Sequence, residues 1–414
     1  MSRRVVVIGG GAAGLMASIT AAEHGAQVTL LEPNERLGKK VNITGKGRCN
    51  VTNDSGMEEL LRNVPRNGRF LYSAFSRFDG RDCKAYFEGL GVPMKTERGN
   101  RVFPVSDCSF DVTDALRRRL KAVGARWEQD RALSIESDGE TVTAVKGEKR
   151  TYPADAVILA TGGVSYPGTG STGDGYRMAS ELGHTIVEPK ASLVPLVSDD
   201  EDCGEMQGLS LKNVEIKVKN GKNKVVFQEF GEMLFTHFGL SGPLILSASA
   251  HIRDWEKDSY RVSIDLKPAL DEQKLEARLL RDFAERSNQD FSNVLGGLVN
   301  KSMIPVMIRR TGIPAETKAN SITKEQRRRL MQELKNFEVK LVGTRPVAEA
   351  IVTSGGVKVG EIAPATMESK KVSGLYFAGE VIDVDAYTGG FNLQIAWATG
   401  KAAGEAAAEE GEQE

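Results

Sequence analysis

Cysteine is scarce: Cys49, Cys83, Cys108 and Cys203 are the only four in 414 residues, and none stands at a CxxC or other zinc-ligand spacing. That excludes a disulfide-stapled scaffold and a cysteine metal knuckle, and no metal is expected. Net charge is nearly absent, with 55 Lys+Arg against 56 Asp+Glu. Such a balance gives no global pull toward nucleic acid or anionic lipid, so neither is expected as a partner. Long apolar runs are missing, and none nears the roughly 18 residues of a membrane span. Met1-Ser-Arg-Arg4 leads straight into the strand-like Val5-Val-Val-Ile8, which leaves no room for a secretory leader and points to a cytoplasmic protein. A hydrophobic share of 40% argues against disorder.

Glycine, in contrast, is plentiful at 44 residues, and it clusters. Gly9-Gly-Gly11-Ala12-Ala13-Gly14 fits GxGxxG between the apolar run Val5–Ile8 and an alanine-rich helical stretch from Leu15 to His24. In that motif Gly9 makes the tight turn, Gly11 admits a pyrophosphate close to the backbone, and Gly14 packs helix on strand. The pyrophosphate then sits at the helix N-terminus, where unpaired N–H groups and the dipole favour an anion. A second strand, Gln27–Leu31, ends at Glu32, where a carboxylate can accept both hydroxyls of an adenosine ribose.

Further along, helical stretches occupy 82–90 and 112–123, a small meander fills 131–160, and a strand runs over Ala156–Ala160. The character changes near 191. Residues 214–218, 224–230 and 261–266 alternate as strands do, followed by charged helical stretches at 271–289 and 323–337. The reading is a discontinuous domain, 1–190 with 351–414, interrupted by an insert at 191–350. The insert is β-rich over 191–268 and 337–350 and helical over 269–336. The fold class is α/β, a three-layer Rossmann-like domain with a parallel sheet. The acidic tail after Glu409 is expected to fray.

The C-terminal segment separates FAD from NAD. Gly374-Leu-Tyr-Phe-Ala-Gly379-Glu380-Val-Ile-Asp383 is a strand and turn carrying carboxylates, and Tyr387-Thr-Gly-Gly390-Phe-Asn392-Leu393-Gln394 opens a final helix. This resembles the second flavin motif of the two-dinucleotide-binding-domain flavoproteins, which makes Asp383 the candidate for the ribitol. Ala160-Thr161-Gly162-Gly163 sits where those proteins return the chain to the FAD domain, and Thr172-Gly-Asp-Gly175 looks like a segment of the fumarate reductase flavoproteins. Most specific are Ile43-Thr-Gly-Lys-Gly-Arg-Cys-Asn-Val-Thr-Asn53, Thr236-His-Phe-Gly-Leu-Ser-Gly-Pro243 and Thr353-Ser-Gly-Gly-Val357. They are similar to the HI0933-like (BaiN/YhiN) family of bacterial flavoproteins, and the match spans nearly the whole chain.

The resemblance implies a loop at 38–53 along the FAD, with Lys40, Gly45, Arg48, Cys49 and Asn50 as contacts. It implies an FAD-dependent oxidoreductase whose small organic substrate lies between flavin and insert. The leading expectation is a reductase of an activated C=C, of bile-acid enone type, fed by NAD(P)H. The alternatives are an aminoacetone-type amine oxidase making hydrogen peroxide, and a non-catalytic flavin-binding RNA-associated or sensory protein.

The remaining chemistry-bearing residues divide as follows. Gly168-Thr-Gly-Ser-Thr-Gly173 is a second GxGxxG, but no βαβ unit with an acidic residue follows, which argues against a separate nicotinamide domain. Cys49 has no neighbouring cysteine, so dithiol chemistry is disfavoured. His237, Tyr387 and Asn392 are the candidates for the substrate pocket, while His24 and His184 sit beside glycines at helix ends as caps. The run Lys324-Glu-Gln-Arg-Arg-Arg329 reads as a solvated helix face.

Overall fold

A computed structural model describes residues 2–252 and 255–409; the acidic tail beyond Glu409 lies outside them. The chain divides into two compact units, Met1–Ser192 with Val347–Glu414, and Leu193–Pro346.

The first unit is built on a parallel sheet of five strands. Strand β1 (Arg4–Ile8) lies at its centre, between β2 (Gln27–Leu31) and the strand Ala156–Leu159. The strands Leu375–Phe377 and Arg126–Glu128 form the two edges. The pairing of Ile8 with both Leu159 and Leu31 brings the carboxyl ends of three strands level, and the turns that follow them gather at one rim. Val5–Val7 and Ala156–Leu159 are buried throughout, as unbroken β-branched and aliphatic runs should be in a parallel sheet.

Helix α1 (Ala12–Glu23) follows β1, and the last helix, Phe391–Ala408, packs on it. Two glycines set that contact. A Cβ at Gly400 would stand 2.5 Å from the Ala13 carbonyl oxygen, and one at Gly404 2.6 Å from that of Ala17. Sequence reasoning starts α1 at Leu15 and the last helix at Gln394; both begin three residues earlier, inside their glycine turns. A three-stranded antiparallel meander, Ala132–Ser137, Val142–Gly147 and Thr151–Pro153, packs against Ala156–Leu159 and supplies another layer.

The second unit holds an antiparallel sheet of seven strands, in the order Phe337–Leu341, Tyr260–Asp265, Ser210–Asn220, Val225–Thr236, Gly239–Ser241, Leu196–Val197 and Gly343–Thr344. Helices Glu272–Glu285, Ile304–Thr311 and Lys324–Lys335 share its apolar core through Leu275, Leu279, Val306, Leu330 and Leu334. The helix carrying the 324–329 run turns Leu330 and Leu334 inward and leaves Lys324, Arg328 and Arg329 exposed, as a solvated face does.

Candidate active site

A cavity of about 410 Å³ opens at the rim of the first unit's parallel sheet. Its lining includes the β1–α1 turn, the end of β2, the 160–162 turn and the 378–380 turn, together with the start of the last helix. Of the residues singled out in the sequence, Gly9, Gly11, Ala12, Ala13, Glu32, Lys40, Thr161, Gly162, Gly379, Glu380, Asn392 and Leu393 line it.

The glycine turn is shaped by close approach. Gly9 has φ +106°, and a Cβ there would meet the Ala160 carbonyl oxygen at 2.5 Å. A Cβ at Gly14 would sit 1.8 Å from the Gly9 oxygen, so Gly14 packs behind the turn rather than facing the cavity. A Cβ at Gly11 would meet nothing within 4 Å. The backbone there is open to a ligand. The first helical bond of α1 runs from Leu15 N–H to Gly11 O, 2.9 Å, so the N–H groups of the preceding residues have no carbonyl within the helix. No side chain caps that end and no acidic residue stands in its first turn. An anion is the natural partner for it.

Glu32 is buried at the rim. Its Oε2 accepts from Gly10 N–H at 2.8 Å, and its Oε1 accepts from the Asn34 N–H and side-chain amide at 2.9 and 2.6 Å. Asn34 Nδ2 also donates to Thr169 O at 3.2 Å. The second glycine run therefore belongs to this cavity: Gly168–Ser171 line it, and a Cβ at Gly170 would stand 2.7 Å from Asn34 Nδ2. The helix Asp174–Glu181 and strand Ile186–Ser192 follow, and that strand pairs antiparallel with Val352–Val357, so the run opens no parallel βαβ unit.

Lys40 donates to Glu380 Oε2 at 2.7 Å and to Ser165 Oγ at 2.6 Å. Arg131 and Asp174 line the same cavity and pair at 2.9 Å. Thr161 Oγ1 is buried without a hydrogen-bond partner among the described residues. Asn392 accepts from Ala386 N–H at 2.9 Å and donates to the Ala386 and Tyr387 carbonyls, which clips the 383–388 turn onto the last helix and occupies its amide.

The other candidates lie outside the lining. Asp383 is buried; its Oδ2 accepts from Arg66 at 2.7 Å and Asn67 at 3.0 Å, while Oδ1 is buried without a partner among the described residues. Burial pushes its carboxyl above the ordinary value of 3.8, against the pull of Arg66 and Asn67. Arg48 lies over the Phe103 ring at 4.0 Å and pairs with Glu97 and with Asp107 at 2.7 Å. Cys49 is fully buried, and desolvation pushes its thiol up to about 12, so thiolate chemistry is disfavoured. Gly45 packs against the backbone of Asn50, whose side-chain oxygen accepts from Gly390 N–H at 2.9 Å. Thr52 donates to Gln394 at 2.6 Å and Trp397 to Val51 O at 2.9 Å, which stitches the 49–53 segment to the last helix. Tyr387 is half-buried with its N–H on Asn63 O. His237 is exposed in the second unit.

Both flanking histidines cap a helix, by different atoms. His24 sets Nδ1 2.9 Å from Thr20 O. His184 caps through its backbone N–H on Ala179 O, while its ring is buried 2.8 Å from Ser369 Oγ. Sequence reasoning missed Asn34, Ser165 and Arg131, and took Asp174 only as part of the Thr172–Gly175 segment, without a partner. Nothing in local periodicity marks them, since Ser165 and Arg131 meet their partners only in the folded chain.

The residues present fit a diphosphate-bearing cofactor with ribose hydroxyls. The open backbone at Gly11 admits the anion, the free end of α1 attracts it, and Thr161 and Glu32 offer polar oxygens. Comparison with known proteins agrees. The chain matches the HI0933-like protein Rossmann domain over residues 3–406. It is 32% identical over 416 residues to a 3-dehydro-bile acid delta(4,6)-reductase of Clostridium scindens, covering 98% of this chain and 99% of that protein. It is 31% identical over 395 residues to a ribosomal RNA dihydrouridine synthase of Escherichia coli, covering 95% of each. A 3-ketosteroid-delta4-(5alpha)-dehydrogenase of Rhodococcus jostii shares the fold at TM-score 0.55 and 15% identity, over 99% of this chain and 97% of that one. Among the described residues no helix is long and apolar enough to cross a membrane. The chain belongs to the HI0933-like family of FAD-dependent oxidoreductases.

Proposed function

We propose that the protein reduces a carbon–carbon double bond conjugated to a carbonyl, drawing its electrons from NAD(P)H. The observation that carries this reading is one cavity lined from both ends of the chain, by residues 9–13 and by 378–380 with Asn392, Leu393, Ile395 and Ala396. FAD held there supplies hydride chemistry. The chain's own part would be to seat it: the α1 N-terminus would hold the diphosphate and Glu32 the ribose, while Lys40 with Glu380 forms a fixed polar pair in the wall.

An enone takes hydride at its β-carbon because the resulting charge is delocalised onto the carbonyl oxygen, and a proton then completes the product at the α-carbon. The bile-acid reductase of Clostridium scindens, matched over 99% of its length, supports a small unsaturated ketone as substrate. A second reading has its own support. Two relatives, at 31% and 30% identity, are ribosomal RNA dihydrouridine synthases. The C5=C6 bond of uracil is conjugated to the C4 carbonyl, so the same electronic demand covers both.

The test is anaerobic mixing of the FAD-loaded protein with NADH and NADPH, then addition of a steroid 4-en-3-one or of ribosomal RNA lacking dihydrouridine. Bleaching by nicotinamide and recolouring by one acceptor supports the reading and chooses between the two substrates. Flavin that stays oxidised under both nicotinamides, but is bleached by an amine with hydrogen peroxide formed on admitting air, sinks it in favour of the oxidase.

A further inference from the structure

The motif Thr353-Ser-Gly-Gly-Val357 has no evident task in the sequence, and Thr353 itself does not line the cavity. It lies directly behind residues that do. Thr353 is buried, and its Oγ1 accepts two backbone N–H groups, from Val164 at 2.9 Å and Ser165 at 3.2 Å. Its own N–H donates to Glu380 Oε1 at 2.7 Å. Gly163 lies so close that a Cβ there would stand 2.3 Å from Thr353 Oγ1. One threonine thus fixes both the 163–165 turn and the Glu380 carboxylate.

Those two meet again through side chains. Ser165 Oγ donates to Glu380 Oε1 at 3.0 Å and accepts from Lys40 Nζ at 2.6 Å, and Lys40 Nζ donates to Glu380 Oε2 at 2.7 Å. Lys40, Ser165 and Glu380 close a ring of hydrogen bonds, with Thr353 beneath it. An ammonium has three N–H donors, and two are committed to the ring. Lys40 is about one-fifth exposed and lines the cavity, so its third donor is left for a ligand. The ion pair is close to neutral as a unit. What it offers a ligand is a direction rather than a free charge.

We propose that Thr353 and Ser165 are positioning residues, which hold the Lys40–Glu380 pair so that one N–H of Lys40 is delivered to an oxygen of bound FAD. This rests on the FAD-binding reading of the cavity. Replacing Thr353 with valine keeps the shape and removes the acceptor for two N–H groups; serine keeps that acceptor. Ser165→Ala opens the ring more gently, without touching the backbone bonds.

The experiment measures FAD affinity of the purified full-length apoprotein, by quenching of flavin fluorescence, with thermal unfolding of each apoprotein alongside. The variants are T353V, T353S, S165A, K40M and the double variant K40M/T353V. Wild type binding FAD establishes the reading beneath the proposal, and failure to bind would remove both. Given binding, T353V, S165A and K40M should each weaken it about tenfold, and T353S by less than about threefold. The deciding result is the double variant. If Thr353 acts through Lys40, T353V should cost little more once Lys40 is methionine. Losses that multiply, or an S165A variant that binds as wild type does, would overturn the proposal. Should T353V not fold, S165A with K40M/S165A gives the same cycle.

Discussion

Glu32 and Asp383 are the two carboxylates that the sequence offers for cofactor hydroxyls, and each follows a strand of the same parallel sheet. Glu32 lines the cavity with both oxygens engaged, and its partners, Gly10 and Asn34, belong to the glycine turn and to its own loop. Asp383 lies outside the lining. Its partners, Arg66 and Asn67, stand more than 300 positions away, and one oxygen has none among the described residues. One carboxylate is assembled by its neighbourhood, so its geometry is preset wherever the β1–α1–β2 unit forms. The other depends on a distant loop and is a place where the fold is held together at a cost in desolvation.

The sharpest way to break this contrast is Asp383→Ala. Removing one partner strands the Arg66 guanidinium, whose side chain is 31% exposed. A loss of about 3 kcal/mol is expected, at the low end for a broken buried pair because Arg66 keeps some water. Urea unfolding measures it, and a variant as stable as wild type would mean that the pair holds nothing. Next comes Glu32→Gln, which should cost FAD binding about tenfold and stability only about 1 kcal/mol. The contrast fails if stability falls further than affinity. Gly170→Ala is smaller: a Cβ at φ +105°, 2.7 Å from Asn34 Nδ2, should disturb the Glu32 loop by about 1 kcal/mol and weaken FAD a few-fold. Unchanged titration curves would show that the Gly168–Ser171 segment only borders the cavity.

The smallest effect is in pH. Burial raises the Asp383 carboxyl above 3.8, so the native state holds its proton longer than the unfolded chain does. The stability from this group is full below pH 3.8 and is lost as pH rises through the raised value. Glu361 has the opposite sign. Burial pushes it up, but the Thr185 N–H and hydroxyl and the Lys371 ammonium outweigh that and bring it to about 2. Its contribution is present above its ordinary value of 4.5 and is lost as pH falls toward 2. Asp383→Asn should therefore flatten the decline of stability above pH 3.8 and leave the acid limb unchanged. A steeper decline in the variant would reverse the assignment.

Much of the first unit is legible in the sequence, because its signals are local. Val5–Ile8 and Ala156–Leu159 are short apolar runs ending at glycine turns, and a parallel strand buried on both faces looks just so. The start of α1 is obscured because Ala12-Ala13-Gly14 carries no apolar period, and that of the last helix because Phe391-Asn-Leu393 directly follows the Gly389-Gly390 turn; each helix begins three residues early. The strands Leu196–Val197, Gly239–Ser241 and Gly343–Thr344 are only two or three residues long and are defined by pairing with one another. No periodicity can be read from so few residues. The same holds at the cavity. The glycines announce themselves by spacing, while Ser165 acquires meaning only when folding brings Lys40 and Glu380 to it.

The glycine contacts between α1 and the last helix also govern the order in which the protein can be made. The ribosome releases β1, α1 and β2 first, yet the helix that covers α1 and the strand Leu375–Phe377 that closes the sheet arrive last. At about 5–20 residues per second, four strands of the sheet wait on the order of tens of seconds for the fifth and for the last helix. Residues 193–346, which carry their own core, emerge complete during that wait. The N-terminal segment must therefore stay soluble while unfinished, and a chain truncated before Phe391 would lack the helix that covers α1.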